Sequence, residues 1–174
     1  MTTRGFRSFA AAAAIAMSSL AVAPAQAGPA EMELLSSYVG NWKGDGVMLG
    51  GERPEAFRCR MQVQKGNQAK VNFAGRCTLV NFNLSVSGTI AFNDKTRRYE
   101  AAMSSNAGFS GVAAGRISGK AISFDLAAKQ IDKGGNDMRI GSKVSLIADT
   151  INIDFEIEFN NSGHVLTARV PFTR

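Results

Sequence analysis

From residue 41 onwards, apolar and polar residues alternate along the chain with a period of two. The plainest case is 151–159, where isoleucine and phenylalanine alternate with asparagine, aspartate and glutamate. Because successive side chains of a strand point to opposite faces of its sheet, this alternation predicts strands with one buried and one hydrated face. About ten strands are predicted, at 41–49, 56–65, 69–80, 82–92, 96–105, 109–117, 120–130, 139–148, 151–159 and 164–173.

Turn-forming residues separate these segments, for example Gly66-Asn67, Asn93-Asp94 and Asn160-Asn161-Ser162-Gly163. Nearly all of the connections are so short that neighbouring strands must be antiparallel. A long antiparallel meander avoids exposed edges by closing on itself. The predicted fold is therefore all-β, an up-and-down antiparallel β-barrel of about ten strands, with eight strands as the alternative.

A short helix is predicted ahead of the first strand. Within 28–40, Met32, Leu35 and Tyr38 recur at helical spacing before Gly40 ends the pattern. No internal repeat or linker interrupts the remainder of the sequence. We interpret residues 28–174 as a single domain.

Residues 1–27 have the pattern of a secretory signal peptide. Arg4 and Arg7 precede a run that is mostly alanine, isoleucine, methionine and leucine, and Ala25-Gln26-Ala27 supplies the small-x-small pattern of a cleavage site. The apolar run is too short to span a bilayer, and no transmembrane segment is expected after its removal. The pattern predicts an exported protein, periplasmic or secreted, in a compartment where disulfides form.

The two cysteines test the predicted strand pairing. If 56–65 and 69–80 pair about a turn centred at Gln68, Cys59 faces Cys77 on the apolar side of the sheet. A cross-strand disulfide is then expected, and two buried free thiols are the alternative. Such a bond contributes about 2–4 kcal/mol to stability.

Charge and catalytic side chains limit the possible functions. The formal net charge is +6, but the densest basic patch, Lys95 with Arg97 and Arg98, lies in a predicted turn, so no nucleic-acid partner is expected. His164 is the only histidine, and the cysteines lack CxxC spacing, so neither a metal cluster nor a redox centre is indicated. We predict no catalytic residues and a protein that is not an enzyme.

The segment 35–46, LSSYVGNWKGDG, resembles the G-x-W opening of the calycins, the lipocalin and fatty-acid-binding class. With its additional glycines it is most similar to the nitrobindin-type ten-stranded barrels. The resemblance implies a calycin-like barrel over 28–174, in which Trp42 packs at the closed end beneath the helix. It also implies that Gly44 and Gly46 let the first strand bend.

Two further residues follow from the same resemblance. Nitrobindin-type proteins place a haem-ligating histidine near the C-terminal strand, and His164 matches that position, which makes haem a possible cofactor. In lipocalins an arginine stacks on the conserved tryptophan. Arg169 is the candidate, although its parity is opposite to that of the apolar side.

The favoured function is passive binding of a small apolar or amphipathic molecule inside the barrel, without any resident cofactor. A cavity of at least roughly 300 Å³, opening near His164, is expected for such a ligand. Its predicted lining is Phe57, Met61, Phe73, Phe92, Met103, Phe124, Phe155, His164 and Phe172. Two alternatives remain open: a haem-binding barrel that uses His164, and an envelope interaction or inhibitor module with a filled core that uses the loops at 50–55 and 131–138. The sequence identifies no protein partner.

Overall fold

The computed structural model describes residues 29–67, 69–80, 82–131 and 134–174. The predicted signal peptide, 1–27, lies outside the described residues, and so does Gln68. One helix precedes eleven strands: α1 (Pro29–Ser36), β1 (Gly40–Leu49), β2 (Glu55–Lys65), β3 (Lys70–Thr78), β4 (Asn83–Asn93), β5 (Arg98–Ser105), β6 (Ser110–Ala114), β7 (Arg116–Ser118), β8 (Ala121–Ile131), β9 (Asp137–Ile147), β10 (Thr150–Phe159) and β11 (His164–Thr173).

The strands form one antiparallel sheet in the order β6-β5-β4-β3-β2-β1-β11-β10-β9-β8-β7. Strands that follow one another in sequence are therefore neighbours, and the first strand also pairs with the last. The two ends of this order, β6 and β7, are consecutive in the chain, so one stretch of backbone joins both edges. The predicted up-and-down barrel with a short N-terminal helix is confirmed as a near-closed barrel.

The strand predicted at 109–117 is divided in two at Gly115. Before the break β6 pairs with β5, and after it β7 pairs with β8. A Cβ atom at this glycine would lie 2.8 Å from Cε1 of Phe124 and 2.9 Å from Cβ of Tyr99. The ten predicted segments thus become eleven strands, because the chain changes partner at a point where Phe124 and Tyr99 leave no room for a side chain.

The register of β2 against β3 is the one predicted from a turn centred at residue 68. Cys59 faces Cys77, and Val63 faces Phe73. The two cysteines form a disulfide, with their Cα atoms 4.0 Å apart. The predicted disulfide is confirmed, and it leaves neither cysteine of the chain free.

Helix α1 covers one end of the barrel, which we call the closed end. Leu35, Tyr38 and Trp42 are fully buried there, and Trp42 Nε1 donates a hydrogen bond of 2.9 Å to the backbone oxygen of Tyr38. The hydroxyl of Tyr99, on β5, donates to the backbone oxygen of Glu31 at 3.3 Å and ties the helix to the barrel. None of the helices in the described ranges has the length and apolar character that crossing a membrane requires.

The expected contact between Arg169 and Trp42 is not formed. Arg169 points outward from β11 and forms an ion pair with Asp154. Arg174 stacks on Trp42 in its place, with Cζ 4.7 Å from the ring centroid. Strand parity explains the correction, because Phe172 and Val170 are the inward residues of β11 and position 169 belongs to the opposite face.

Candidate ligand cavity

The barrel encloses a cavity of about 230 Å³. Its wall is almost wholly apolar, because the inward positions of the strands carry aliphatic, aromatic and methionine side chains. Six of the predicted residues line it: Phe57, Met61, Phe73, Met103, Phe155 and Phe172. The cavity is smaller than the volume expected from the sequence.

Three predicted lining residues lie elsewhere. Phe92 is buried and meets Tyr99 edge to face, with ring centroids 5.0 Å apart. Phe124 is buried where the Gly115 backbone approaches it, and neither of these rings is part of the cavity wall. The alternation correctly predicts that both rings are buried on the inner face of the sheet. It does not predict where along the barrel axis the cavity lies, and the cavity wall does not include these rings.

His164 stands at the rim of the barrel, outside the cavity wall. It is exposed, it opens β11, and its ring meets Phe159 edge to face at 6.0 Å between centroids. Within the described residues no group of three or more metal-ligating side chains exists. A solvent-exposed histidine away from the internal cavity does not fit a buried haem held by His164.

Sequence parity alone missed much of the cavity wall. Met48 and Met138 join Met61 and Met103, so four flexible thioether side chains face the same space. Methionine has three rotatable bonds and a polarisable sulfur, and it adapts its shape to irregular neighbours. The wall can therefore adjust to ligands of somewhat different outline.

Two hydroxyl groups of the wall are buried without a hydrogen-bond partner among the described residues, those of Tyr38 and Ser105. Tyr38 is only 2% exposed. Burial raises the pKa of its phenol; Asp149 raises it further and Arg174 lowers it. The phenol is therefore protonated at neutral pH and can donate a hydrogen bond.

Charged side chains are absent from the inner surface of the described wall. Arg60 and Arg76 contribute to it, but both occupy outward positions of β2 and β3 and are exposed. The remaining polar contribution comes from Ser142, which is buried. The cavity is thus an apolar space with a few hydroxyl groups.

The glycines of β1 allow tight packing beside the cavity. A Cβ atom at Gly44 would lie 2.7 Å from Cγ1 of Val170, and one at Gly46 would lie 2.5 Å from Cζ of Phe57. Side chains at these two inward positions would displace Val170 and Phe57, which both line the cavity. The two glycines, predicted to have a structural role, therefore leave room for the side chains of Val170 and Phe57 in the cavity wall.

A second, open depression lies on the outer surface of strands β8 to β11, β1 and β2. Its floor carries a cross-strand row of alternating charges, in which Asp125 faces Lys143, Lys143 faces Asp154, and Asp154 faces Arg169. Ion pairs join Arg169 to Asp154 and Arg116 to Asp125. Most of these charges therefore have a neighbour of opposite sign.

The loops predicted for an interaction module lie at the rim opposite α1. The first follows β1 and the second follows β8, whose last residue, Ile131, is 67% exposed. Residues 132 and 133 of the second loop lie outside the described residues. At Gly50, with φ +95°, a Cβ atom would lie 2.0 Å from the backbone oxygen of Val165, so the first loop packs closely on β11.

No family model matches the sequence, and no curated protein matches it. Among solved structures, the chain is similar to Rv2717c from M. tuberculosis, with a TM-score of 0.61 and 13% identity over 83% of this chain and 96% of that one. This similarity supports the barrel fold alone. Two designed proteins are more distant, each with a TM-score of 0.39. One is the redesigned β-barrel mFAP0 bound to DFHBI, at 8% identity over 77% of this chain and 97% of that one. The other is a de novo fluorescence-activating β-barrel, at 10% identity over 78% and 94%.

Proposed function

We propose that this protein is an exported binding protein that holds a small apolar or amphipathic molecule inside its barrel. The observation that supports the proposal is the internal cavity of about 230 Å³ with its apolar wall. The calycin-like classification belongs to the same proposal. It rests on the G-x-W segment around Trp42, the meander order and the helix that covers one end.

Physical chemistry favours occupation of this cavity by an apolar molecule. Transfer of apolar surface out of water gains roughly 25 cal/mol per Å². A dry cavity of about 150 Å³ already binds benzene, and sites for drug-sized ligands begin near 300 Å³. A volume between these limits fits a compact ligand, such as a substituted benzene or a chain of about eight carbons.

Calorimetric titration with propylbenzene, a fully apolar probe, tests the proposal. We expect saturable binding of one molecule per chain. Ala168→Leu places extra carbon atoms in the wall and is expected to weaken binding, and Phe155→Asp places a charge there and should abolish it. Ser87→Asp introduces the same charge at an exposed, outward position of β4 and should leave binding unchanged.

The alternative of a filled interaction module predicts a different result. A barrel with a filled core that functions through its rim loops would take up no propylbenzene, and Ala168→Leu would overpack and destabilise it. Absence of saturable binding in the folded protein would therefore overturn the ligand proposal.

Export is the other half of the proposal, and it rests on the sequence of residues 1–27 together with the disulfide between Cys59 and Cys77. Mass measurement of the protein recovered from the cell envelope should give an N-terminus at Gly28. Recovery of mature protein that retains Met1 would contradict the proposal.

A further inference from the structure

We infer, building on the proposed function, that the cavity selects an uncharged molecule with a hydrogen-bond acceptor, to which the hydroxyl of Tyr38 donates. The inference names a ligand class and a specificity-determining residue within the cavity. It rests on an unpartnered buried donor and on the absence of an inward charge from the described wall.

Tyr38 is held rigidly at the closed end. Its backbone oxygen accepts the hydrogen bond from Trp42 Nε1, and the two rings stack with centroids 6.2 Å apart. The hydroxyl has no partner among the described residues, although the side chain is only 2% exposed and forms part of the cavity wall. A buried donor without a partner has lost its hydrogen bonds to water, so an acceptor on the ligand gains more here than it would in water.

The charge of the ligand follows from the rest of the wall. A carboxylate would leave water for a space whose only charged contributors, Arg60 and Arg76, point outward and are exposed. Arg174 is close enough to lower the pKa of the Tyr38 phenol. Its guanidinium, however, stacks on Trp42 and donates to the backbone oxygen of Ser37, and it does not line the cavity. Burying an anion without a counter-charge is far more costly than burying a neutral carbonyl.

Ser105 provides the other unpartnered hydroxyl of the wall. It ends β5, and the rim loop follows it, so it lies toward the opposite end of the barrel from Tyr99 and α1. We assign the donor role to Tyr38 because its side chain is fully buried, whereas Ser105 is half-buried.

The experiment compares 2-octanone with octanoate at neutral pH by calorimetry. The two probes have the same number of carbons and differ in charge. They are titrated into the mature protein and into two variants, Tyr38→Phe and Tyr99→Phe. Tyr99 is the matched control because it is equally buried, but its hydroxyl already donates to Glu31 and does not line the cavity.

We expect 2-octanone to bind at least tenfold more tightly than octanoate. Tyr38→Phe should weaken 2-octanone binding about three- to tenfold, the effect of losing one hydrogen bond. Tyr99→Phe should leave the affinity unchanged, and propylbenzene binding should be the same in both variants.

Equal or tighter binding of octanoate would overturn the inference, and so would an unchanged affinity for 2-octanone in Tyr38→Phe. In either case continued binding of propylbenzene would leave the proposed function standing. Failure of propylbenzene and of both octyl probes to bind would overturn the proposed function, and the inference with it.

Discussion

The guanidinium of Arg174 lies over the indole of Trp42, 4.7 Å from the ring centroid, and the same side chain donates a hydrogen bond to the backbone oxygen of Ser37. The contact joins the last residue of the chain to the start of the first strand. It therefore closes the seam between β1 and β11 at the end that α1 covers. The calycin resemblance implied that an arginine stacks on Trp42, with Arg169 as the candidate; the arginine that does so is Arg174.

Replacing Arg174 with alanine should lower the free energy of unfolding by about 1–2 kcal/mol, because a cation–π contact and a hydrogen bond are lost. Trp42 is the only tryptophan, so its fluorescence reports on this site directly. We expect its emission to shift to longer wavelength as water reaches the indole. Arg169→Ala loses only its exposed pair with Asp154 and should leave the emission unchanged. Identical spectra for both variants would contradict the assignment.

The strand pattern was predictable because alternation is a direct consequence of a sheet with one buried face. Even the pairing of Cys59 with Cys77 followed from counting positions across one hairpin. The break at Gly115 was not predictable, because it depends on side chains that belong to other strands. The role of Tyr38 was missed for a similar reason: a helical pattern marks it as apolar core and gives no sign that its hydroxyl lacks a partner.

Gly115 should tolerate no side chain. A Cβ atom there would lie under 3 Å from both the ring of Phe124 and the Cβ atom of Tyr99, so Gly115→Ala must displace these neighbours. We expect a loss of about 1–3 kcal/mol, the usual cost of overpacking. Gly111→Ala is the matched control on β6, because its Cβ atom would lie 3.6 Å from Leu126, an ordinary contact. Urea unfolding of the two variants measures the difference, and equal midpoints would show that the break at Gly115 has another cause.

Stability should fall at alkaline pH through the two tyrosines. Both are buried, and burial raises the pKa of each phenol, that of Tyr99 to about 12 with Glu31 and Tyr38 contributing. Between the ordinary phenol pKa of about 10 and that value, the unfolded chain releases a proton that the folded protein retains. The stabilisation is therefore complete below about pH 10 and is lost as the pH rises towards 12.

Urea midpoints measured across this alkaline range test the effect, with Tyr99→Phe as the comparison. The variant should show a shallower decline, since one of the two titrating groups is removed. Its lost hydrogen bond to Glu31 adds only an offset that does not depend on pH below the titration. Parallel curves for the two proteins would exclude Tyr99 as a source of the decline.

The outer face of β1 to β3 carries a row of like charges, in contrast to the alternating row on β8 to β11. Lys43 faces Arg60, and Arg60 faces Arg76, all three exposed. No ion pair within the described ranges includes any of the three. Like charges directly opposite one another on a sheet are destabilising, and opposite charges contribute roughly 0.2–1 kcal/mol.

Arg76→Glu should therefore stabilise the protein, by about 0.5–1 kcal/mol at low salt, since it places a carboxylate opposite Arg60. Added salt should reduce the gain, because both groups are exposed. Arg58→Glu is the control: it makes the same change in net charge on β2, but it breaks the pair with Asp45 at 3.5 Å and sets two acids opposite each other. It should destabilise. Thermal unfolding of both variants at two salt concentrations separates the local pairing from total charge, because a net-charge effect would move the two midpoints in the same direction.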